Sequence, residues 1–109
     1  MTRTDFDISV SMSTYLVALV ISDFRCLNQT VLNIGEFGKV DVRVCSRPNS
    51  TSLLDYSLQV TVKIIQFYEQ FYGIKYPLPK CDMVAVPDFL FGAMENWGLV
   101  TYRSVKAKK

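Results

Sequence analysis

Between Val40 and Val44 the chain alternates strictly, Val40-Asp41-Val42-Arg43-Val44, a pattern that predicts a strand with one face buried and the other wet. Arg47-Pro48-Asn49-Ser50 breaks the alternation, and Ser52 with Asp55 three residues on has nearly the spacing of a capping box. A helix is therefore predicted to start there. Leu54, Leu58, Val62, Ile65, Tyr68 and Tyr72 then recur every three or four residues, opposite Gln59, Lys63, Gln66 and Gln70. That spacing predicts an amphipathic helix whose aromatic residues pack into the core. Gly73 stands where a left-handed cap ends a helix, and Pro77 and Pro79 prevent its continuation. Residues 14–21 are apolar on both alternating faces and predict a strand buried on both sides. Residues 23–38 read as a loop with a short strand or turn, whereas Met83-Val84-Ala85-Val86 and residues 98–103 have strand composition. The elements together describe an α+β fold.

The chain has 109 residues, 50% hydrophobic and 20% charged, which is folded rather than disordered composition and enough for one modest domain. Its net charge of +2 owes part to Lys106-Ala107-Lys108-Lys109, read as a solvated end, and the other basic residues are scattered among acids. Nucleic acid is not an expected partner. There is no histidine, which excludes a Ser-His-Asp or Cys-His nucleophile and the histidine-based open site of catalytic zinc. Cys26, Cys45 and Cys81 contain no C-x-x-C pair, and their odd number leaves at least one thiol unpaired within the chain. They read as buried or half-buried structural residues. The longest uncharged apolar run, residues 15–21, is far short of the roughly 20 residues of a membrane-spanning helix. The first seven residues lack the apolar stretch of a signal peptide, so secretion would require a leader outside this sequence. Asn28-Gln29-Thr30 and Asn49-Ser50-Thr51 make Asn28 and Asn49 candidate glycosylation acceptors in a secretory setting.

The stretch from Pro87 to Trp97 joins the only tryptophan to a glutamate, Glu95, in mainly apolar surroundings between two predicted strands. Such a carboxylate is either solvated in a turn or holds a partner in a cleft. Gly92 and Ala93 just before it allow a second backbone to approach. A carboxylate beside an exposed strand edge can pair with an ammonium group while the edge hydrogen-bonds an extended peptide. The residues alone thus leave two readings, an exposed acid in a turn and a pocket for a positively charged chain end.

Gly92-Ala93-Met94-Glu95-Asn96 resembles the GAMEN motif of the gluzincin zinc aminopeptidases, the aminopeptidase N or membrane alanyl aminopeptidase family. Residues 12–18, Phe67-Tyr68-Glu69, residues 76–80, Ala85-Val86-Pro87-Asp88-Phe89 and residues 97–103 are similar to family segments in the family's order. The resemblance covers about residues 11–103 and points in particular to the endoplasmic-reticulum, insulin-regulated and puromycin-sensitive subgroup. It implies that residues 1–24 end an N-terminal β-sandwich domain and that residues 25–109 begin a thermolysin-like catalytic domain. It also implies that Glu95 binds the free α-amino group of a peptide substrate. Gly92 and Ala93 would offer main-chain contacts, and Met94 and Asn96 would shape and hold the edge strand.

The family's zinc is held by an HExxH helix and a further glutamate, and this chain contains neither that motif nor any histidine. The resemblance therefore implies zinc in a full-length member and none bound by this chain, which is expected to be inactive alone. Where the family continues with glutamate after the Tyr-Arg pair, this chain has Ser104, and the likeness stops there. A piece of a longer peptidase is the expected origin. The alternatives are a short isoform acting as a non-catalytic peptide-binding or dominant-negative module, and a small α+β interaction domain. The sequons and subgroup point to a membrane-associated, lumenal or extracellular parent, with cytosolic members sharing the same motifs.

Overall fold

The alternating valines form β2, Lys39–Ser46, in a computed structural model that describes residues 1–104. Val40 and Val42 have no exposed surface and Val44 is buried, whereas Asp41 and Arg43 point to the other face and are exposed. β1, Arg25–Leu32, pairs antiparallel with β2, setting Val31 opposite Val40 and Arg25 opposite Ser46. The loop with a short strand or turn expected over residues 23–38 is thus corrected to an eight-residue strand followed by a turn. Seven of the eight β1 residues are exposed, so no burial pattern marks the strand in sequence, and its ladder with β2 is what makes it one.

β3, Lys80–Val86, runs parallel to β2, and β5, Leu99–Arg103, runs parallel to β3. β4, Ala93–Met94, lies antiparallel on the far side of β5. The resulting sheet has the order β1-β2-β3-β5-β4. Parallel neighbours need a crossover, and α1, Leu54–Tyr72, lies in the one joining β2 to β3. Leu54, Leu58 and Val62 of the helix meet Val31, Val40, Val42, Val44 and Cys81 of the sheet in the core, with Ile34 beneath.

The helix begins differently from the expected capping box. Residues 48–53 form a 3-10 turn that runs directly into α1, and Leu53, already in helical conformation, is the N-cap. A chain that enters while turning has no extended cap position for a serine side chain, and no side-chain hydrogen bond caps the helix. At the other end Gly73 adopts φ 67° and its N–H donates to the Glu69 carbonyl, 3.1 Å, as expected. The aromatic residues depart from core packing: Phe67, Tyr68, Phe71 and Tyr72 are exposed and contact one another, Phe67 stacked on Phe71 at 5.7 Å and Phe71 edge-on to Tyr72 at 5.0 Å. At 1.5 Å per residue a 19-residue helix is about 28 Å long. Its buried residues all lie in the first half, where β1 and β2 support it.

Residues 14–21 do not form the strand buried on both sides that their composition predicts. Thr14–Leu16 is a 3-10 turn, and Tyr15, Val17, Leu19 and Ile21 are exposed. A strand needs a ladder, and no described strand runs beside this segment. Of the three cysteines, Cys45 and Cys81 are buried as expected, whereas Cys26 is exposed on β1; Cys26 and Cys45 stand directly opposite and form a disulfide, leaving Cys81 as the unpaired thiol. Among the described residues no helix is long and apolar enough to cross a membrane. The basic tail, Lys106-Ala107-Lys108-Lys109, lies outside the described residues.

One glutamate locks the end of the helix to the hairpin. Glu69 Oε2 accepts the backbone N–H groups of Gly35, 2.9 Å, and Tyr76, 3.1 Å. Gly35 has φ 75°, and a Cβ there would stand 2.8 Å from Val40 Cγ2. Only glycine fits that turn without displacing the core.

Candidate functional site

The site is built outward from β5. Tyr102 stands opposite Ala93 and Thr101 opposite Met94, which makes β4 the last strand of the sheet. Its outer edge has no ladder partner among the described residues, so backbone groups there are open to an added strand. The Gly92 carbonyl accepts the Arg103 N–H at 2.9 Å, which fixes the start of β4. A Cβ at Gly92 would meet nothing within 4 Å, so packing within the described residues does not demand glycine there. Ala93 is exposed and Met94 half-buried. Glu95, immediately after the strand, is exposed, and no hydrogen bond or ion pair from another described residue reaches its carboxylate.

Asn96 is buried, with 7% of its surface exposed, and uses both ends of its amide. Nδ2 donates to the Leu16 carbonyl, 3.3 Å, and Oδ1 accepts from Thr101 Oγ1, 3.2 Å. Its carbonyl accepts the Leu99 N–H at 3.2 Å, closing a tight turn. Gly98 completes that turn at φ 73°, where a Cβ would approach Leu78 Cδ1 to 3.0 Å.

Below the turn lies a charged cluster that sequence reasoning did not find. Asp82, 3% exposed, receives Arg43 through Nε, 3.1 Å, and Nη2, 2.9 Å, and Lys80 Nζ at 2.8 Å. Lys80 Nζ also donates to the Gly98 carbonyl, 2.9 Å, as does the Asp82 N–H, 2.9 Å. The signal was present: Asp41 and Arg43 on β2, and Lys80 and Asp82 on β3, carry opposite charges at period two, and parallel pairing sets Asp41 beside Lys80 and Arg43 beside Asp82. These residues floor a cavity of about 1020 Å³ on the sheet face away from α1, between the strands and the N-terminal segment around Leu19 and Ile21. Glu95 does not line it, although Trp97 does.

On the helix side, burial pushes the Cys81 thiol above its ordinary range, and burial together with Cys81 does the same to the Tyr76 hydroxyl. Tyr102, opposite Ala93, is raised chiefly by burial. The residues present do not fit zinc. The chain has no histidine, and the described residues contain no group of three or more histidine, cysteine, aspartate or glutamate side chains that could hold a metal. Asn28, on β1, and Asn49, in the 3-10 turn before α1, are both exposed.

The peptidase family M1 domain matches residues 56–107. Endoplasmic reticulum aminopeptidase 1 of Homo sapiens is 51% identical over 98 residues, covering 90% of this chain and 10% of that protein. Aminopeptidase N of Mus musculus is 44% identical over 104 residues, 94% of this chain and 10% of its own length. Puromycin-sensitive aminopeptidase of Caenorhabditis elegans is 44% identical over 100 residues, 92% of this chain and 10% of its own. The chain spans about a tenth of the length of the curated relatives it matches. On these matches the chain belongs to the M1 aminopeptidase family, as a piece of one of its members.

Proposed function

We propose that this chain is the amino-terminus recognition part of a zinc-dependent aminopeptidase that removes N-terminal residues from peptides. The observation that carries the reading is the pairing of a strand edge at β4 with the exposed carboxylate of Glu95, neither of which has a partner among the described residues. A peptide adding as a further strand would hydrogen-bond its backbone to Ala93 and Met94, with Gly92 leaving room beside it. Its α-ammonium group would end against Glu95, a charge-assisted contact that an internal residue or an acetylated end cannot make. Asn96 would hold the turn behind the strand. The chemistry of bond cleavage belongs to zinc ligands and a general base outside this sequence, so the chain alone binds and does not hydrolyse. Residues 1–24 are read as the end of a β-sandwich domain and residues 25–109 as the start of a thermolysin-like domain. The Cys26–Cys45 disulfide and the exposed Asn28 and Asn49 support an oxidising, lumenal or extracellular setting for the parent.

Binding of a labelled alanine-rich hexapeptide with a free α-amino group, against the same peptide N-acetylated, tests the reading. The free-amine peptide is expected to bind the chain at least tenfold more tightly, and Glu95→Gln to abolish the difference. Equal affinity of the wild-type chain for both peptides would refute it, and zinc-dependent release of N-terminal residues by the pure chain would refute the assignment of catalysis elsewhere.

A further inference from the structure

The turn that leads into β4 has little apolar support of its own. Leu90 and Phe91 are exposed by 84% and 62%, and Asp88 sits at φ 56°, a left-handed conformation that a non-glycine residue adopts at a cost. Apart from an edge contact of Phe89 with Phe91 at 5.9 Å, what holds this turn comes from β5. Arg103 Nε donates to the Phe89 carbonyl, 2.9 Å, and to the Phe91 carbonyl, 3.2 Å, while Nη2 donates to the Leu90 carbonyl. Its backbone N–H takes the next carbonyl in the series, that of Gly92, at 2.9 Å. One residue thus binds four successive carbonyls of residues 89–92, and the Ser104 N–H, bonded to the Val86 carbonyl at 2.9 Å, anchors the base of the same loop.

A guanidinium can do this because it presents several N–H donors in a fixed plane; an ammonium group at the same position carries charge but not the fork. The carbonyls of residues 89–91, all turned toward one cation, keep the turn from relaxing outward. Because Gly92 is followed directly by Ala93, any rotation of the turn changes how β4 offers its outer edge and where Glu95 stands. We propose that Arg103 is a positioning residue that holds residues 89–92 and through them sets the strand that presents Glu95 to a peptide amine. The proposal rests on the amine-recognition reading of Glu95. Arg103 itself is not placed in contact with the peptide.

The experiment has two arms on the ¹⁵N-labelled chain. In the wild type the Arg103 Nε–H is expected to exchange with solvent at least tenfold more slowly than that of the exposed Arg47. Exchange as fast as that of Arg47 would overturn the proposal without any variant. In Arg103→Lys the amide of residue 103 should exchange at least tenfold faster, with the amides of Ser104, Val42 and Val84 unchanged as the control for folding. The same variant should lose the preference for the free-amine hexapeptide over its acetylated form, as Glu95→Gln does, although Glu95 is intact. Unchanged exchange at residue 103 would overturn the proposal, as would faster exchange with the preference retained. A wild-type chain with no amine preference would overturn the Glu95 reading and the recognition half of this one, while the exchange arm would still decide whether Arg103 holds the turn.

Discussion

Cys81 sits on the helix-facing side of β3, 4% exposed, within the apolar cluster under α1. Burial favours its neutral form, so its thiol holds a proton to higher pH in the folded chain than in the unfolded one. The sign follows from proton counting. Below the ordinary thiol value of about 8.5 both states are protonated and the contribution is complete. As pH rises beyond it, the unfolded chain loses a proton that the folded chain keeps, and stability falls until the folded value is passed. Chemical unfolding of the disulfide-bonded form should show stability declining as pH rises above the ordinary thiol value of about 8.5, a decline that Cys81→Ala removes. The sequence made Cys81 legible as a buried structural cysteine, because free cysteine behaves as a small hydrophobe. It did not show which of the three thiols would stay free, since that depends on Cys26 standing opposite Cys45 in a hairpin whose first strand carries no alternating pattern.

Among the elements, the parallel pair β2 and β3 is joined on its polar face by the cluster around Asp82, whose side chain is 5% exposed while those of Arg43 and Lys80 are 52% and 46% exposed. The two cations remain partly hydrated and the anion does not, so the burden of a broken pair falls on the aspartate. Asp82→Asn is expected to lower stability by about 2 kcal/mol, seen as a lower urea midpoint at unchanged slope. Asp41→Asn on the same face, exposed, should shift it by less than about 0.5 kcal/mol. Helix α1 and strand β2 were legible because burial of one face imprints a period of 3.6 or 2 on the side chains, and β3 and β5 because their composition is that of strands. β1 was hidden, being exposed on nearly all its length, and the N-cap was misread because a 3-10 entry leaves no trace in the Ser52 and Asp55 spacing. Residues 14–21 misled for the opposite reason: apolar composition on both faces signals a strand only where other strands flank it. The stretch around Glu95 stood out by its residues alone, but the open edge beside it is a property of sheet order, which no local pattern records.

For the whole molecule, the Cys26–Cys45 bridge acts most strongly when the chain is unfolded, since it closes a loop across a separation of 19 residues. Reduction is expected to lower stability by about 3 kcal/mol and to lower the thermal midpoint, as read by circular dichroism with and without reductant. An unchanged midpoint would mean that the bridge does not form in the protein. Another long-range link has a different consequence. The Asn96 amide holds the Leu16 carbonyl across 80 residues, a greater separation than any pairing within the sheet. Contacts distant in sequence close their loops late, after local helices and hairpins have formed. The order of folding then runs from the β1 and β2 hairpin and α1 toward β5, and the turn between β4 and β5 closes on Leu16 last. A chain emerging amino-terminus first must keep residues around Leu16 waiting until Asn96 has been made, some 80 residues later, so the outer edge of the sheet matures only when β5 is in place.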